Sequence, residues 1–152
     1  MKPQSKLTRT LSGSAGEYFV AAELSRRGYV ASLTLRNTRG IDILVANVDA
    51  TKSVGIQVKT KQGSKPEWML SQAAETDAAE NLFYVFVRLH GLDRPEYNIV
   101  PRAAVAKYVR EQFRTWLATP GRGGRRHKDN PMRTFGDSTD QYRDRWDLLG
   151  LG

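Results

Sequence analysis

Residues 55–61 read GIQVKTK, and this stretch decides how the rest of the chain is interpreted. Apolar and polar side chains alternate along it, which is the period-two pattern of a strand with one buried face. Because alternate side chains of a strand share a face, Gln57, Lys59 and Lys61 should project together, away from the apolar side. The stretch therefore predicts a strand whose polar face is either a solvated surface or one side of a chemical site.

A helix is predicted ahead of the strands, because apolar residues recur at helical spacing before Gly28, a typical C-terminal stop. Ser12 or Ser14 is expected to cap this helix, and Ser14 with Glu17 fits a capping box. Residues 1–11 are expected to be irregular. The side chains expected to face the core are Phe19, Val20, Ala21 and Leu24.

Strands are predicted at 29–35, 41–48 and 53–61, because short apolar or β-branched runs there are separated by turn residues. Their spacing favours a meander packed on the helix. The segments predicted downstream are a short strand at 65–71, a short acidic helix at 72–81, a central strand at 82–89, a hairpin strand at 97–100, a helix at 101–118, a basic loop at 119–134 and a closing helix at 140–151.

The composition fits one globular domain of 152 residues, with 39% hydrophobic and 26% charged residues. Lysine and arginine number 24 against 16 acidic residues, and the net charge of +8 favours nucleic acid as partner, with a solubility charge as the alternative. The absence of cysteine excludes disulfides, thiol catalysis and cysteine zinc sites. Without an apolar signal segment or a membrane-length apolar run, we expect a cytoplasmic protein that does not contact membranes.

Four side chains on these elements are candidates for a shared site. Asp42 and Gln57 are fifteen positions apart, which suits two adjacent antiparallel strands joined by a short turn, and Glu17 lies on the helix before them. A hard cation such as Mg²⁺ or Mn²⁺ takes oxygen ligands, so Asp42, Glu17 and either the Gln57 amide or the Val58 carbonyl are candidate ligands. Lys59 would orient a water or stabilise charge on a phosphate. The pattern predicts phosphodiester hydrolysis.

The order of Glu17, the RGIDILV segment with Asp42, and QVK at 57–59 resembles the PD-(D/E)XK nuclease superfamily. That family places an acid on its first helix, an aspartate on the second core strand and a (D/E)xK motif on the third. The resemblance covers about the first 90 residues. Within the superfamily, the order of these residues is most similar to that of Holliday-junction resolvases and small bacterial nuclease-like proteins. This chain departs from the pattern at Gln57, which replaces the usual acid and removes one negative charge from the site.

The resemblance implies a restriction endonuclease-like α/β fold, in which helices flank a mixed central sheet. It places a nuclease-like core at 12–90. The sequence contains no repeat or linker that would divide it, so we expect a single domain over 1–152, with a C-terminal hairpin, helix, basic loop and closing helix at 91–152. The resemblance further implies a metal-dependent deoxyribonuclease, specifically a DNA endonuclease, and related endonucleases often act as homodimers. The alternative is a catalytically silent module of the same fold that binds DNA or a partner protein. A third hypothesis is a structural protein whose basic loop contacts a partner.

Several cations are candidates for DNA-backbone contacts. They are Arg36, Arg39 and Lys61 near the candidate site, and Arg122, Arg125, Arg126 and Lys128 in the basic loop. The alternative interpretation of that loop is a flexible solvated segment. The sequence of the loop does not fit a P-loop, and His90 and His127 lack neighbours that would make a histidine metal site.

Overall fold

The alternation at 53–62 forms the centre of a mixed sheet in the computed structural model, which describes residues 5–35, 40–76 and 79–152. Within those residues the chain forms two α-helices, seven strands and three short 3₁₀ helices. The helices are α1 (Arg9–Arg26) and α2 (Arg102–Ala118). The strands are β1 (Val30–Leu33), β2 (Ile43–Ala46), β3 (Ser53–Gln62), β4 (Glu67–Ser71), β5 (Leu82–His90), β6 (Asp93–Pro101) and β7 (Met132–Gly136).

Five strands form the central sheet in the order β1-β2-β3-β5-β6, and β3 runs parallel to β5 while the other neighbouring pairs are antiparallel. The parallel pair requires a crossover between β3 and β5, and that crossover contains β4. The predicted meander of β1, β2 and β3 and the predicted hairpin of β5 and β6 are both present. The predicted α/β fold with a mixed central sheet and flanking helices is confirmed.

Helix α1 begins earlier than the sequence predicted. Thr8 is its N-cap, and the Thr8 hydroxyl accepts a hydrogen bond of 3.2 Å from the backbone N–H of Leu11. Ser12 lies inside the helix, where its hydroxyl donates to the Arg9 carbonyl, so the predicted caps at Ser12 and Ser14 are wrong. The capping box fails for the same reason, since Thr8 already satisfies the first turn. The predicted stop at Gly28 is confirmed by its φ of +90°.

The buried face of α1 packs closely on β3. Val20 and Leu24, one turn apart, are fully buried, whereas Phe19 is 43% exposed because it falls on the flank of that face, contrary to prediction. Gly16 lies against Thr60, and a Cβ atom added at Gly16 would come within 1.8 Å of the Thr60 hydroxyl oxygen. Only glycine permits this approach, which holds the following residue, Glu17, near the sheet.

The sheet separates two hydrophobic cores. Apolar side chains of the central strands pack against α1 and the closing segment on one face, and against α2, β4 and β7 on the other. Ile56 and Val58 belong to the α1 side, whereas Tyr84, the parallel partner of Gln57, belongs to the α2 side. Gln57 and Lys59 therefore point toward α2, as the alternation predicted, because side chains of a strand alternate between faces.

Only one of the two strands of the second sheet was predicted. Strand β4 agrees with the strand predicted at 65–71, but the loop predicted at 119–134 is wrong at its end, where β7 pairs with β4. The inward positions of β7 are Arg133 and Phe135, both almost fully buried. A charged residue at one of two inward positions removes the apolar alternation by which such a short strand could be recognised.

Two predicted helices are single turns. In place of the acidic helix at 72–81, the described residues form a 3₁₀ helix at Gln72–Glu75, and positions 77–78 lie outside the described residues. The closing segment forms a 3₁₀ helix at Trp146–Leu149 whose first and last side chains are buried on the α1 side. No helix in the described parts of the chain is long and apolar enough to span a bilayer.

Candidate nucleic-acid site

The carboxylate of Asp42 is fixed at the start of β2, at the end of the β2–β3 pair that lies away from their connecting turn. Its backbone N–H donates to the Ile56 carbonyl at 2.7 Å, and its Oδ2 atom accepts from the backbone N–H of Val58, also at 2.7 Å. The side chain thus replaces a backbone acceptor just beyond the paired end of β2. Because Val58 lies between Gln57 and Lys59, the structure brings Asp42 beside the two polar residues with which the sequence grouped it.

Asp42 and Glu17 line one depression on the α1 side, which we call the acidic cleft and define by Arg9, Gly13, Glu17, Thr34 and Asp42. Its volume is about 340 Å³. The Thr34 hydroxyl donates to the Ile41 carbonyl at 2.6 Å, which ties β1 to the segment that carries Asp42. Both predicted carboxylates therefore face the same space.

Gln57 and Lys59 line a second depression, which we call the basic cleft and define by Gly40, Gln57, Lys59, Tyr84 and Arg102. Its volume is about 310 Å³, and no carboxylate among the described residues lines it. Burial raises the pKa of the Tyr84 phenol, and the nearby Arg102 cation opposes that rise. The phenol therefore stays protonated at neutral pH and can donate a hydrogen bond.

The four predicted catalytic residues therefore divide between two neighbouring clefts rather than sharing one cavity. Asp42 connects the clefts, because its carboxylate binds the backbone between the two side chains of the basic cleft. Within the described parts of the chain, no group of three His, Cys, Asp or Glu side chains could hold a metal ion. A metal site built only from side-chain carboxylates would thus have two, Glu17 and Asp42.

The donor set at Asp42 fits a hard divalent cation. Mg²⁺ and Mn²⁺ bind through one or two carboxylates and retain several waters. Asp42 uses Oδ2 for Val58, and no described residue donates a hydrogen bond to Oδ1. The Val58 carbonyl faces the same edge of β3 as its N–H, because both groups of a strand residue point toward the same neighbouring strand. A carboxylate oxygen and a backbone carbonyl are therefore available beside Glu17.

The cations predicted to contact DNA have different surroundings. Arg36 and Arg39 lie outside the described residues. Lys61 donates from Nζ to the Glu67 carbonyl at 3.0 Å, and its burial lowers the pKa of the amine. Lys61 therefore holds β4 against β3 while part of its side chain stays exposed.

The four cations of the basic loop, Arg122, Arg125, Arg126 and Lys128, are all exposed. The loop follows α2, whereas the basic cleft adjoins the first residue of that helix. A helix of 17 residues is roughly 25 Å long at 1.5 Å per residue. The start of the loop is therefore separated from the cleft by about the length of seven base pairs of B-DNA, at 3.4 Å per step. The loop then returns toward β4, where the Pro131 carbonyl accepts from the backbone N–H of Gln72.

Neither histidine lies at these clefts. The His90 ring interacts with Glu96 at 2.9 Å, at the far end of the β5–β6 hairpin. His127 stacks on Trp116 with ring centroids 4.0 Å apart, and Trp116 remains 38% exposed. Trp68 and Trp146 are buried in the two cores, as expected of packing residues.

Two residues of the basic cleft, Tyr84 and Arg102, were not among the predicted site residues. Tyr84 lies in the apolar run 82–87, where the sequence indicates a buried strand and nothing more. Arg102 directly follows Pro101 at a helix start, and its sequence neighbourhood does not distinguish it from the other arginines. The pairing of Tyr84 with Gln57 depends on the parallel register of β3 and β5, which only the tertiary structure shows.

No protein-family model matches this sequence, and no curated protein is significantly similar to it. The structure of a bacterial homing endonuclease, I-Ssp6803I, is similar with a TM-score of 0.57 and 12% identity, over 95% of this chain and 92% of that one. The structure of Hjc, a Holliday junction resolvase from the archaeal hyperthermophile Archaeoglobus fulgidus, is similar with a TM-score of 0.52 and 14% identity, over 92% and 97%. The chain thus has a fold that occurs in nucleases.

Proposed function

We propose that this protein is a divalent-metal-dependent DNA endonuclease of the PD-(D/E)XK type. The observation that carries the proposal is the hydrogen bond from Val58 N–H to Asp42, which places a carboxylate beside Gln57 and Lys59 with Glu17 in the adjoining cleft. The nuclease folds of the two similar structures support it. The net charge of +8 supports an anionic polymer as the substrate.

In this proposal Asp42 and Glu17 hold the metal ion, with Gln57 or the Val58 carbonyl completing or orienting the site. Bound there, Mg²⁺ or Mn²⁺ would lower the pKa of a coordinated water and offset charge on the phosphate. Lys59 supplies a fixed positive charge that orients the water or stabilises the negative charge developing on the phosphate. The proposed reaction is attack of water on phosphorus with departure of one ester oxygen.

The basic loop supplies the second part of the proposed DNA surface. Its four exposed cations would contact backbone phosphates several base pairs from the cleaved bond, given the length of α2. These contacts raise affinity without reading sequence. Cleavage of both strands would use two copies of the chain, which analytical ultracentrifugation with and without DNA can detect.

The test is cleavage of supercoiled plasmid and of branched DNA with Mg²⁺ or Mn²⁺, comparing wild type with Asp42→Ala and Lys59→Ala. We expect nicked or linear products from wild type and at least a hundredfold slower cleavage by each variant. Equal rates from wild type and both variants would remove the proposed roles of these residues. No cleavage of any substrate by wild type would count against the enzyme.

A second candidate function is a catalytically silent module that binds DNA. Gln57 stands where the resembling family has an acid, and the described residues contain no group of three acidic or histidine side chains for a metal. Calorimetry separates the two candidates. Divalent-ion binding that is absent at millimolar concentration, together with salt-sensitive DNA binding, would favour the silent module.

A further inference from the structure

We infer that Arg102 is a phosphate-binding residue and that the basic cleft binds a phosphate group of the DNA backbone next to Lys59. The identification of DNA as the source of the phosphate rests on the proposed function. The chemistry of the cleft, two cations with an amide and a phenol, is independent of it. Nothing in the sequence pattern had assigned Arg102 or the cleft a role.

Arg102 is partly buried, and its guanidinium has no counterion among the described residues. Its Nε atom is buried, and no described residue accepts a hydrogen bond from it. Two buried arginines, Arg88 and Arg133, each form an ion pair, with Asp140 at 2.7 Å and with Glu75. Arg102 is only partly buried, and it forms no ion pair with any carboxylate among the described residues. Because a charge that is partly removed from water gains from a counterion, this position favours an anionic ligand.

The guanidinium of Arg102 is held in a defined place. Its Cζ atom lies 5.6 Å from the ring centroid of Tyr84, which supports the cation from one side. A Cβ atom added at Gly40 would lie 3.1 Å from Arg102 Nη1 and 3.8 Å from Gln57 Oε1. The guanidinium and the amide therefore both adjoin the same glycine, which has a φ of +67° and no side chain to fill the space.

The electrostatics of the basic cleft favour phosphate over a cation. Lys59 and Arg102 are both positively charged, and no described carboxylate lines the cleft. Arg102 is also the first residue of α2, a helix of 17 residues with no side-chain cap and no acid in its first turn, so the positive end of the helix dipole adds to the field. A guanidinium fork matches two phosphate oxygens, which an amine cannot do.

DNA binding measured without divalent metal tests the inference independently of catalysis. Arg102→Met and Arg102→Lys are compared with wild type for affinity to a labelled DNA duplex and a four-way junction at several salt concentrations. The matched control is Arg26→Met, because Arg26 is an exposed arginine at the far end of α1. We expect Arg102→Met to weaken binding about tenfold and to reduce the slope of log K against log salt by about one, while the control changes neither.

Arg102→Lys separates charge from geometry and guards against a folding defect. It keeps the charge and should retain most of the salt slope, with affinity between those of wild type and Arg102→Met, because the fork is lost. Circular dichroism melts show whether each variant folds. If Arg102→Lys folds like wild type but binds DNA like Arg102→Met, the guanidinium fork rather than the charge makes the contact. That result would also support the inference, because wild type and Arg102→Lys have the same charge and differ in the fork.

Inorganic phosphate distinguishes the inference from the proposed function. If phosphate raises the melting temperature of wild type more than that of Arg102→Met, the anion site stands even where no DNA is bound or cleaved. If wild type cleaves DNA and Arg102→Met matches Arg26→Met in affinity, slope and phosphate response, the inference is overturned while the function stands. Equal phosphate responses without DNA binding would overturn both.

Discussion

The acidic cleft and the basic cleft adjoin the same strand but are built from different parts of the chain. The acidic cleft combines α1 with the start of β2, and its carboxylates come from Glu17 and Asp42. The basic cleft combines β3 and β5 with the first residue of α2, and its charges are Lys59 and Arg102. Strand alternation separates them, because Val58 faces α1 while its neighbours face α2.

This difference separates two requirements of phosphodiester chemistry. A metal ion needs clustered negative oxygens, whereas the phosphate needs positive charge. The hydrogen bond from the Val58 backbone N–H to Asp42 holds the Asp42 carboxylate beside the strand that carries Lys59. The clefts therefore make separate, testable contributions to metal binding, DNA binding and catalysis.

The largest effect is expected from Asp42→Asn, which removes one of the two carboxylate charges of the acidic cleft. The asparagine side-chain oxygen can still accept from Val58 N–H, so the free energy of unfolding should change little. We expect the single-turnover cleavage rate to fall by roughly a thousandfold, because the metal loses a charged ligand. Asp93→Asn, at the exposed first residue of β6, is the control, and a rate equal to that of the control would refute the metal-binding role.

The next largest effect is expected from Lys59→Met in the basic cleft. Removal of one preorganised positive charge should slow the chemical step by roughly a hundredfold. Affinity for DNA should fall less than in Arg102→Met, because we assign Lys59 to charge that develops during reaction and Arg102 to binding. Measuring rate and affinity on the same substrate tests the division, and a loss confined to affinity would contradict it.

Two glycines of α1 test how closely the helix that carries Glu17 approaches β3. Gly16→Ala places a methyl group against Thr60 and should destabilise the fold by about 2 kcal/mol through overpacking. Gly13→Ala meets nothing within 4 Å and should stabilise the helix by about 0.5–1 kcal/mol. Urea denaturation of both variants checks the pair, and equal effects would show that Gly16 is not needed for close packing.

The smallest effect is expected from Gln57→Glu, which restores the acid of the resembling family. If the side chain at this position reaches the metal, the Mg²⁺ concentration for half-maximal cleavage should fall about tenfold, because one more carboxylate joins the site. An unchanged concentration dependence would show that the basic cleft does not contribute to metal binding. Gln62→Glu, at the end of β3, is the control for an added charge on the same strand.

Much of the fold was predictable because its signals are local. The alternation in GIQVKTK, the apolar run of β5 and the helical spacing of α2 each identify an element from neighbouring residues alone. The proximity of Asp42 to QVK was predictable as well, because a short turn between antiparallel strands fixes their register. In these cases the structure depends on the hydrophobic pattern of one element or on the length of one turn.

Most of the errors concern contacts between distant parts of the chain. Strand β7 exists because β4 pairs with it from about sixty positions away, and its buried Arg133 hides the apolar pattern. The exposure of Phe19 depends on which face of α1 meets the sheet. The start of α1 was a local error, in which Thr8 was overlooked in favour of later serines.

The sequence by itself determined the strand that carries Gln57 and Lys59, the helix that carries Glu17 and the position of Asp42 beside them. Each of these depends on the spacing of hydrophobic residues in one element or on the length of one turn. Only the tertiary structure decided that Glu17 and Asp42 line one cleft while Lys59 and Arg102 line another. The reason is physical: the face on which a side chain projects is a local property, but what it meets there depends on packing between α1, the sheet and α2.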